Sequence, residues 1–406
     1  MKILLATHWL IPHVGGVWAF MEQLKKRLES MGHVVDMLGN SPDYLKIHIV
    51  NRNLEIAKAQ LLPLLETKLN AHNQPLLNLS PIVRYHEYER YCLELSAAYF
   101  DLSQYDLIHT QDVLSTRSIS RVKPKHVAHV AHIHGCVATE MILHYQLNPQ
   151  LGVTESSPEL KYFRSLEHYG ASSCDITVTS THWMKDLLIN EFAVPRGQVT
   201  VFQYGFDPTD FDLKSKRSTS IRRPEGKKVI ICPARLVFVK GINVLISALA
   251  HLKKIRQDWV CWIVGDGELR TELEQLSLGL GLQQEVAFLG RRDDVPALLQ
   301  QSDIFAHPCL QDNQPYSVVE AQFAGLPAVV SNAGGLPEMV DHGHTGLISP
   351  VGDAETLALN MAFLLENDEV RQQFGRNAKA WAKHHWSMDL MMGRVLDVYE
   401  RALSTK

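Results

Sequence analysis

The stretch Val229-Ile230-Ile231-Cys232-Pro233-Ala234-Arg235-Leu236-Val237-Phe238-Val239-Lys240-Gly241 decides the fold of the second half of the chain. Its first four residues form an uninterrupted apolar run, which is typical of a parallel strand buried on both faces. After the glycine, Leu245, Leu249 and Leu252 repeat at helical spacing. A strand, a loop and a helix in this order predict the first unit of a doubly wound α/β domain.

The same strand–helix rhythm continues on both sides of this stretch. Downstream, apolar runs predict strands at Val260–Val264, Val286–Leu289, Ile304–His307 and Ala328–Ser331. Upstream, similar runs predict strands at Lys2–Thr7, Val34–Leu38, Leu107–His109, Val127–Ile133, Ile176–Thr179 and Val199–Phe202. The sequence therefore predicts two doubly wound, Rossmann-like domains, whose ligands should bind beyond the carboxyl ends of the strands.

The domain boundaries are predicted from the place where the alternation of strand and helix patterns stops. From Asp207 to Lys228 the chain is rich in Lys and Arg and contains two prolines, which indicates a solvated linker more than an anion site. We therefore predict a first domain at 1–207, a linker at 208–228 and a second domain at 229–385. A last helix, within 386–406, is predicted from Met388 to Leu403 because its apolar residues share one face.

Composition excludes several classes of protein. The 406 residues carry a net charge of only −4 and mix both signs, so no basic stripe for nucleic acid is expected. The six cysteines form no Cys-x-x-Cys pair, which indicates reduced thiols in a cytoplasmic protein. No apolar stretch approaches the roughly 20 residues of a membrane span. We expect a cytoplasmic protein, with peripheral attachment at the inner face of the membrane left open.

Charged residues follow the ends of predicted strands in the second half. Arg235 and Lys240 lie around the end of the strand that begins at Val229, and a diphosphate leaving group needs such cations. Asp312 and Glu320 place two carboxylates eight positions apart. Each pair also has a purely structural explanation. The two cations would be ordinary surface residues, and Ser317-x-x-Glu320 would be a helix capping box.

The first half offers weaker signals. Gly15 and Gly16 form a turn before a predicted helix, where backbone can approach an anion, although a tight turn explains them equally well. His134 follows the strand Val127–Ile133, but most of the 20 histidines must be structural. Asp210-x-Asp212 matches a metal-binding pattern only by coincidence, because it lies in the predicted linker. We therefore predict no metal site.

Taken in order, the motifs resemble family 4 of the retaining, nucleotide-sugar-dependent glycosyltransferases, and the resemblance covers nearly the whole chain. It implies the GT-B fold, in which two Rossmann-like domains face each other across a cleft, and a final helix that crosses back to the first domain. The motifs that carry it are Pro233-Ala-Arg-Leu-x4-Lys240-Gly241, Gly265-Asp-Gly-Glu268, Phe288-Leu-Gly290, Ser302-Asp-Ile-Phe-Ala-His-Pro308, Glu320-Ala-x3-Gly325-Leu-Pro327, Gly334-Gly-Leu-Pro-Glu338, Gly343-x2-Gly346, Gly15-Gly-Val17 and Tyr204-Gly-Phe-Asp207.

The resemblance also implies roles for single residues. Arg235 and Lys240 would hold the donor diphosphate, Glu320 the ribose, and Asp312 the transferred sugar. The first domain would form the acceptor side, and the segment Leu54–Phe100 would help to shape it unless it is an ordinary helical layer. The further donor-side residues implied are Gly15 and Gly16 at the phosphates, His134 at the sugar, the backbone from Gly290 through Arg291 to Arg292 at the base, and Gln314, Tyr316 and Ser317.

The implied reaction moves a hexose-type sugar from a nucleoside-diphosphate sugar, UDP- or GDP-linked, to a hydroxyl of a saccharide, lipid-linked or small-molecule acceptor. Such a step would serve glycan, polysaccharide or glycoconjugate synthesis and need neither metal nor further cofactor. Two departures leave the donor sugar open: Asp312 replaces the usual Glu, and Gln314-Pro315 replaces Phe-Gly, with a proline that lacks an N–H. A nucleotide-sugar epimerase, a two-lobed binding protein and a nicotinamide dehydrogenase fit the motifs less well.

Overall fold

The structure of the protein is a computed structural model that describes residues 1–13, 15–50 and 52–406, without the side chains of Leu76 and Leu79. The chain divides into two compact units. Unit 1 consists of Met1–Phe202 together with Asp389–Lys406, and unit 2 consists of Gln203–Met388.

The strands and helices alternate along the chain. The strands are β1 (Lys2–Leu10), β2 (Val34–Asn40), β3 (Lys46–Ile49), β4 (Leu54–Ala57), β5 (Leu107–Thr110), β6 (Ala128–His132), β7 (Ile176–Thr179), β8 (Val199–Val201), β9 (Lys228–Pro233), β10 (Trp259–Val264), β11 (Val286–Gly290), β12 (Ile304–His307), β13 (Ala328–Ser331) and β14 (Gly346–Ser349). The helices are α1 (Gly16–Ser30), α2 (Lys58–Lys68), α3 (Pro81–Tyr99), α4 (Val113–Ser120), α5 (Val137–Leu147), α6 (Pro158–Ser172), α7 (His182–Asn190), α8 (Pro208–Ser215), α9 (Ile242–Ile255), α10 (Arg270–Gly279), α11 (Val295–Gln300), α12 (Tyr316–Ala324), α13 (Ala354–Glu366), α14 (Asp368–His385) and α15 (Met388–Leu403).

Unit 1 is built on one sheet with the strand order β4-β3-β2-β1-β5-β6-β7-β8. The strands from β2 to β8 in this order pair in parallel, whereas β3 and β4 add an antiparallel edge beside β2. The residues from Ile3 to Ala6 are fully buried, as expected of a central strand covered by helices on both faces. The carboxyl ends of β1, β5 and β6 therefore meet at one edge of the sheet.

The last helix of the chain belongs to unit 1. It presents Met391, Val395 and Val398 as buried residues on its apolar face. Its Tyr399 hydroxyl lies 2.8 Å from Nδ1 of the buried His109 on β5. A polar contact of this kind in a buried environment fixes the helix against the sheet, because separating the two groups would leave both unsatisfied.

Unit 2 is built on a fully parallel sheet with the order β11-β10-β9-β12-β13-β14. Apolar residues of β9 are buried on both faces of this sheet, between Leu245 and Leu249 of α9 on one side and Val318 and Val319 of α12 on the other. Every strand predicted from an apolar run is present. The predicted α/β fold of two doubly wound, Rossmann-like domains is therefore confirmed.

The predicted linker at 208–228 is a point of difference, because this segment belongs to unit 2 and begins with the helix α8. The side chain of Asp207 accepts a hydrogen bond from the N–H of Thr209 at 2.9 Å, and Pro208 occupies the first helical position. Both are standard signals for the start of a helix. Phe211 then packs in the core of unit 2. The many Lys and Arg residues of the segment conceal this short helix in the sequence.

Candidate functional site

Three charged or polar side chains meet at the carboxyl end of the unit 2 sheet, and we call them the charged cluster: Lys240, His307 and Asp312. Lys240 follows β9, and its Nζ lies 2.5 Å from Oδ2 of Asp312. His307 ends β12 and places Nε2 2.9 Å from the same oxygen. All three side chains are at most 15% exposed. The sequence placed Lys240 and Asp312 at the site but gave His307 no role.

The protonation states of the charged cluster follow from burial and mutual attraction. Burial raises the pKa of Asp312, but Lys240 and His307 outweigh it and hold that pKa well below its usual value. Burial opposes the charge of Lys240, yet Asp312 raises the pKa of this lysine overall. Burial lowers the pKa of His307 in spite of Asp312. Near neutrality the cluster is therefore an ammonium–carboxylate pair with a neutral imidazole that donates through Nε2.

Two glycines allow the backbone to bring these side chains together. Gly241 has a φ of +62°, and a Cβ atom there would lie 2.2 Å from the carbonyl oxygen of Pro308. Gly334 has a φ of +57°, and a Cβ atom there would lie 1.9 Å from the carbonyl oxygen of Asp312. A side chain at position 241 would push the loop that carries Lys240 away from the loop after β12, and one at position 334 would displace the backbone of Asp312. The glycines of the Lys-Gly and Gly-Gly motifs are thus required by close backbone approach.

Arg235 is a cation of this region that remains available for a ligand. It follows β9, is exposed, and forms neither an ion pair nor a hydrogen bond with the part of the chain that the structure describes. At the neighbouring end of β11, Gly290 has a φ of +67° and Arg291 is exposed. Arg292, in contrast, pairs with Asp294 at 2.6 Å. An anion that reaches this edge would meet Arg235 without first breaking a salt bridge.

A possible metal site overlaps the charged cluster, because ligand atoms of His307, Cys309 and Asp312 lie within 4.8 Å of one another. The Lys240 ammonium already supplies the positive charge beside Asp312. Burial also raises the pKa of the Cys309 thiol, so that it stays protonated, whereas metals bind the thiolate. The chemistry of these side chains therefore favours the lysine over a metal ion as the resident cation.

Glu320 lies on α12, and the position at which this helix begins excludes a capping role for its side chain. The helix begins at Tyr316 with Pro315 as its N-cap residue, and no side chain caps it. Ser317 is therefore inside the helix and cannot form the capping box with Glu320 that the sequence permits. The half-buried carboxylate forms no hydrogen bond or ion pair with the described residues. Burial raises its pKa to about 7.

The pH dependence of nucleotide affinity should reveal whether the Glu320 carboxylate takes part in binding. In the role that the resemblance implies, Glu320 accepts hydrogen bonds from two ribose hydroxyls, and such binding would favour its ionised form. With a pKa of about 7, we expect the affinity for a nucleoside diphosphate to rise about tenfold between pH 6 and pH 8. Calorimetric titrations across this range measure the effect.

Glu320→Gln is the matched variant for this experiment. It should bind the nucleotide more weakly at pH 8 and retain only the titration of the ligand phosphate itself. The unliganded variant should not melt earlier than wild type, since a raised folded-state pKa means that ionisation of Glu320 above pH 7 destabilises the fold. Equal nucleotide affinity of wild type and variant at pH 8 would refute the ribose assignment.

The remaining predicted donor residues lie at the start of α12. Oε1 of Gln314 accepts a hydrogen bond from the backbone N–H of Tyr204 at 2.8 Å. The Tyr204 ring stacks on that of Tyr316 with 5.6 Å between centroids and an interplanar angle of 15°. Ser317 is half-buried. Tyr204 thus supports Gln314, which departs from the usual family pattern, and the nearby Tyr316, and spacing along the sequence could not reveal these contacts.

Unit 1 carries the other predicted site residues. Gly15 and Gly16 lie where α1 begins, with Gly15 as its N-cap residue, so free backbone N–H groups point out of this helix end. Nε2 of His134 lies 2.9 Å from Oε1 of Gln111. Because Nε2 of Gln111 donates to the carbonyl of His109 at 3.1 Å, the amide is oriented and His134 donates to it. Burial lowers the pKa of His134 to about 3, so the imidazole is neutral.

Comparisons with known proteins bear on the family and the fold of the chain. The family model for glycosyl transferases group 1 matches residues 214–381, and that for glycosyltransferase family 4 matches residues 14–210. An uncharacterised glycosyltransferase of Methanocaldococcus jannaschii is 26% identical over 99% of this chain and 99% of its own. The D-inositol 3-phosphate glycosyltransferase of Corynebacterium kroppenstedtii is 29% identical over 74% of this chain and 68% of its own.

Solved structures with the same fold include sugar-transferring enzymes. Sucrose-phosphate synthase from Thermosynechococcus elongatus matches with a TM-score of 0.77 at 19% identity, and each chain is covered completely. Anabaena HepE in complex with UDP-glucose matches with a TM-score of 0.69 at 21% identity over 98% of this chain and 99% of its own. At these identities the likeness shows the fold alone. Among the described residues, no helix is long and apolar enough to cross a membrane.

Proposed function

The chain belongs to family 4 of the glycosyltransferases, which have the GT-B fold, and we propose that it transfers a hexose-type sugar with retention of anomeric configuration. The donor is a nucleoside-diphosphate sugar carrying UDP or GDP, and the acceptor provides a hydroxyl group. The observation that carries this proposal is the pair of cations, Arg235 and Lys240, at the carboxyl end of β9 in unit 2.

The two cations suit a diphosphate leaving group. Cleavage of the donor breaks the bond between the anomeric carbon and a phosphate oxygen, which leaves additional negative charge on the diphosphate. Fixed positive groups in a partly desolvated site stabilise this charge without reorganisation. Lys240 is held by Asp312, and Arg235 is uncompensated. The arrangement favours departure of the nucleoside diphosphate over binding of a neutral ligand.

Retention follows from a front-face attack. Asp312 is a poor covalent nucleophile because Lys240 and His307 both engage its Oδ2 atom. We therefore assign no glycosyl-enzyme intermediate to it. The acceptor oxygen bonds to the anomeric carbon on the face that the diphosphate leaves, and the hydroxyl proton passes to the departing phosphate oxygen. Asp312 is left to orient the transferred sugar, and the role of His134 in unit 1 stays a prediction from the resemblance.

Transfer is expected to proceed without a divalent metal ion. The Lys240 ammonium supplies positive charge where a metal would otherwise be needed, beside Asp312. Activity should therefore survive incubation with excess EDTA. The control is a metal-dependent glycosyltransferase in the same buffer. Loss of transfer in EDTA, followed by recovery with magnesium or manganese, would contradict this assignment.

The experiment that tests the proposed donor class is a thermal-shift series with nucleotides. A ligand that binds only the folded state stabilises it by about 2.7 kcal/mol at a hundredfold excess over its Kd. We expect UDP or GDP, and the matching sugar nucleotide, to raise Tm, and the corresponding nucleoside to raise it far less. The dehydrogenase alternative predicts a shift with nicotinamide dinucleotides instead. No shift with any nucleoside diphosphate would count against the proposal.

A further inference from the structure

A half-exposed tryptophan stands at the carboxyl end of the central strand of unit 1. Trp9 is 49% exposed, although it directly follows the buried residues of β1. The strand end that carries it is rigid: Oδ2 of Asp112 accepts hydrogen bonds from the backbone N–H of His8 at 2.7 Å and from Oγ1 of Thr7 at 2.9 Å. The side chain of Asn40 donates to the carbonyl of His8. The indole is therefore presented by a fixed backbone at the edge where doubly wound sheets bind ligands.

Two tyrosines continue this surface through a chain of polar contacts. The Tyr85 hydroxyl, on α3, donates to the Tyr44 hydroxyl at 3.4 Å. The Tyr44 hydroxyl in turn lies 3.3 Å from Nε2 of His8. Tyr85 is 52% exposed, and the His8 ring contacts both Trp9 and Tyr44 edge-on. We call these four residues, His8, Trp9, Tyr44 and Tyr85, the aromatic cluster.

Tyr44 has an energetically unfavourable backbone conformation, and buried charged residues hold its side chain in place. Its φ is +63°, in the left-handed region that residues other than glycine seldom adopt. Nζ of Lys58 lies 3.4 Å from the centroid of the Tyr44 ring, and Lys58 forms a buried ion pair with Glu89 of α3. Strained residues fixed by a buried network occur at ligand sites more often than elsewhere. The network sets both the ring plane and the position of the hydroxyl.

The charges around the aromatic cluster argue against an anionic ligand. Lys58 is neutralised by Glu89, and burial lowers the pKa of His8, so its imidazole is neutral near pH 7. The carboxylate of Asp112 lies beside the His8 backbone. Phosphate or carboxylate groups bind where a free cation or several N–H donors converge. The aromatic cluster instead combines ring faces with hydroxyl and imidazole groups.

One buried group of the cluster lacks a partner. Nδ1 of His8 forms no hydrogen bond with the described part of the chain, although His8 is only 5% exposed. Buried polar atoms are nearly always satisfied by protein, water or a ligand. This observation is independent of the exposed rings.

We propose that the aromatic cluster of unit 1 is an acceptor subsite and that the acceptor is an uncharged saccharide. The C–H face of a pyranose ring would lie on Trp9, and its hydroxyl groups would meet the hydroxyl groups of Tyr85 and Tyr44, which His8 positions. This inference rests on the proposed function, since it names the acceptor class of the same transfer reaction. It separates this chain from the relative whose name specifies D-inositol 3-phosphate, an acceptor that carries phosphate.

The test measures acceptor-dependent release of nucleoside diphosphate by the full-length protein, with the donor that the thermal-shift series identifies. The acceptor panel contains the methyl glycosides of glucose, mannose, galactose and N-acetylglucosamine, the corresponding sugar 6-phosphates, and D-myo-inositol 3-phosphate. We expect a neutral glycoside to stimulate release. Trp9→Ala and Tyr85→Ala should raise the KM for that glycoside by about tenfold or more. The donor KM and the slow donor hydrolysis without acceptor should stay unchanged.

Matched variants separate recognition from folding. Trp9→Phe retains a ring face and should keep the acceptor KM within about threefold of wild type. Tyr99→Ala removes an exposed tyrosine from the other end of the same helix α3 and should change nothing. Stimulation by the phosphorylated acceptors alone, no stimulation by any glycoside while donor hydrolysis persists, or an unchanged acceptor KM in both alanine variants would overturn the inference. Absence of donor binding would instead refute the proposed function.

Discussion

Replacing Arg235 with alanine is expected to lower kcat by roughly 10²–10³-fold, the scale of losing one preorganised electrostatic donor. Arg235 forms no ion pair or hydrogen bond with the described residues, so its charge remains uncompensated at the carboxyl end of β9. Such a cation helps most when charge develops on the departing diphosphate, and its removal should lower kcat more than it raises the donor KM. Steady-state kinetics at saturating donor measure this effect.

The fold should tolerate the change at Arg235. The side chain is exposed and packs against no core, and we therefore expect the Tm of Arg235→Ala to match wild type. Arg217→Ala is the control, because it removes another exposed arginine from the same unit and should keep full activity. A kcat for Arg235→Ala within threefold of wild type would show that this arginine has no role in leaving-group departure.

Replacing Lys240 with alanine should impair both catalysis and stability. Its Nζ is 2.5 Å from Asp312, and neither side chain is more than 15% exposed, so the variant leaves a carboxylate largely desolvated without its partner. We expect a loss of about 2–3 kcal/mol in the free energy of unfolding, somewhat below the cost for a fully buried pair. The kcat should fall by roughly 10²–10³-fold, and nucleoside diphosphate binding should weaken.

The double variant Lys240→Ala/Asp312→Asn separates these two effects. It removes the uncompensated charge and should recover most of the lost unfolding free energy, while affinity for the nucleoside diphosphate stays low. Asp312→Asn alone keeps the ammonium and should bind the diphosphate at least as tightly as wild type. Chemical denaturation and calorimetry provide the two readouts. If the double variant bound the diphosphate like wild type, Lys240 would be a structural residue only.

Most strands of both sheets were predictable because parallel strands buried on both faces leave continuous apolar runs, as in Val229–Cys232. Three strands at the margins of the sheets, β3, β4 and β14, were not predicted. They contain four residues each, and Lys46-Ile-His-Ile alternates polar and apolar positions over too short a length to stand out from a loop. The helix α8 was missed although its Asp207-Pro208 start is visible, because the basic residues that follow indicate a linker.

The position of a candidate site residue was predictable where it follows the end of a strand. Arg235 and Lys240 lie at the carboxyl edge of their sheet because loops after parallel strands meet there. The contact of His307 with Asp312 was not predictable, since a histidine inside a strand carries no pattern of its own. The pattern Ser317-x-x-Glu320 permits a capping box only if Ser317 is the N-cap residue. In the structure Pro315 is the N-cap residue, two positions earlier, and the sequence pattern could not show this.

The central claim, cleavage of a nucleoside-diphosphate sugar with retention, is tested most directly by proton NMR of fresh protein with an α-linked donor. UDP-glucose, UDP-galactose, UDP-N-acetylglucosamine and GDP-mannose are each followed from the first minutes, before the released sugar equilibrates its anomers. We predict that one of them yields nucleoside diphosphate together with the α-anomer as the first product, and that Arg235→Ala slows its appearance. Appearance of the β-anomer first, or no diphosphate from any donor, would contradict the account.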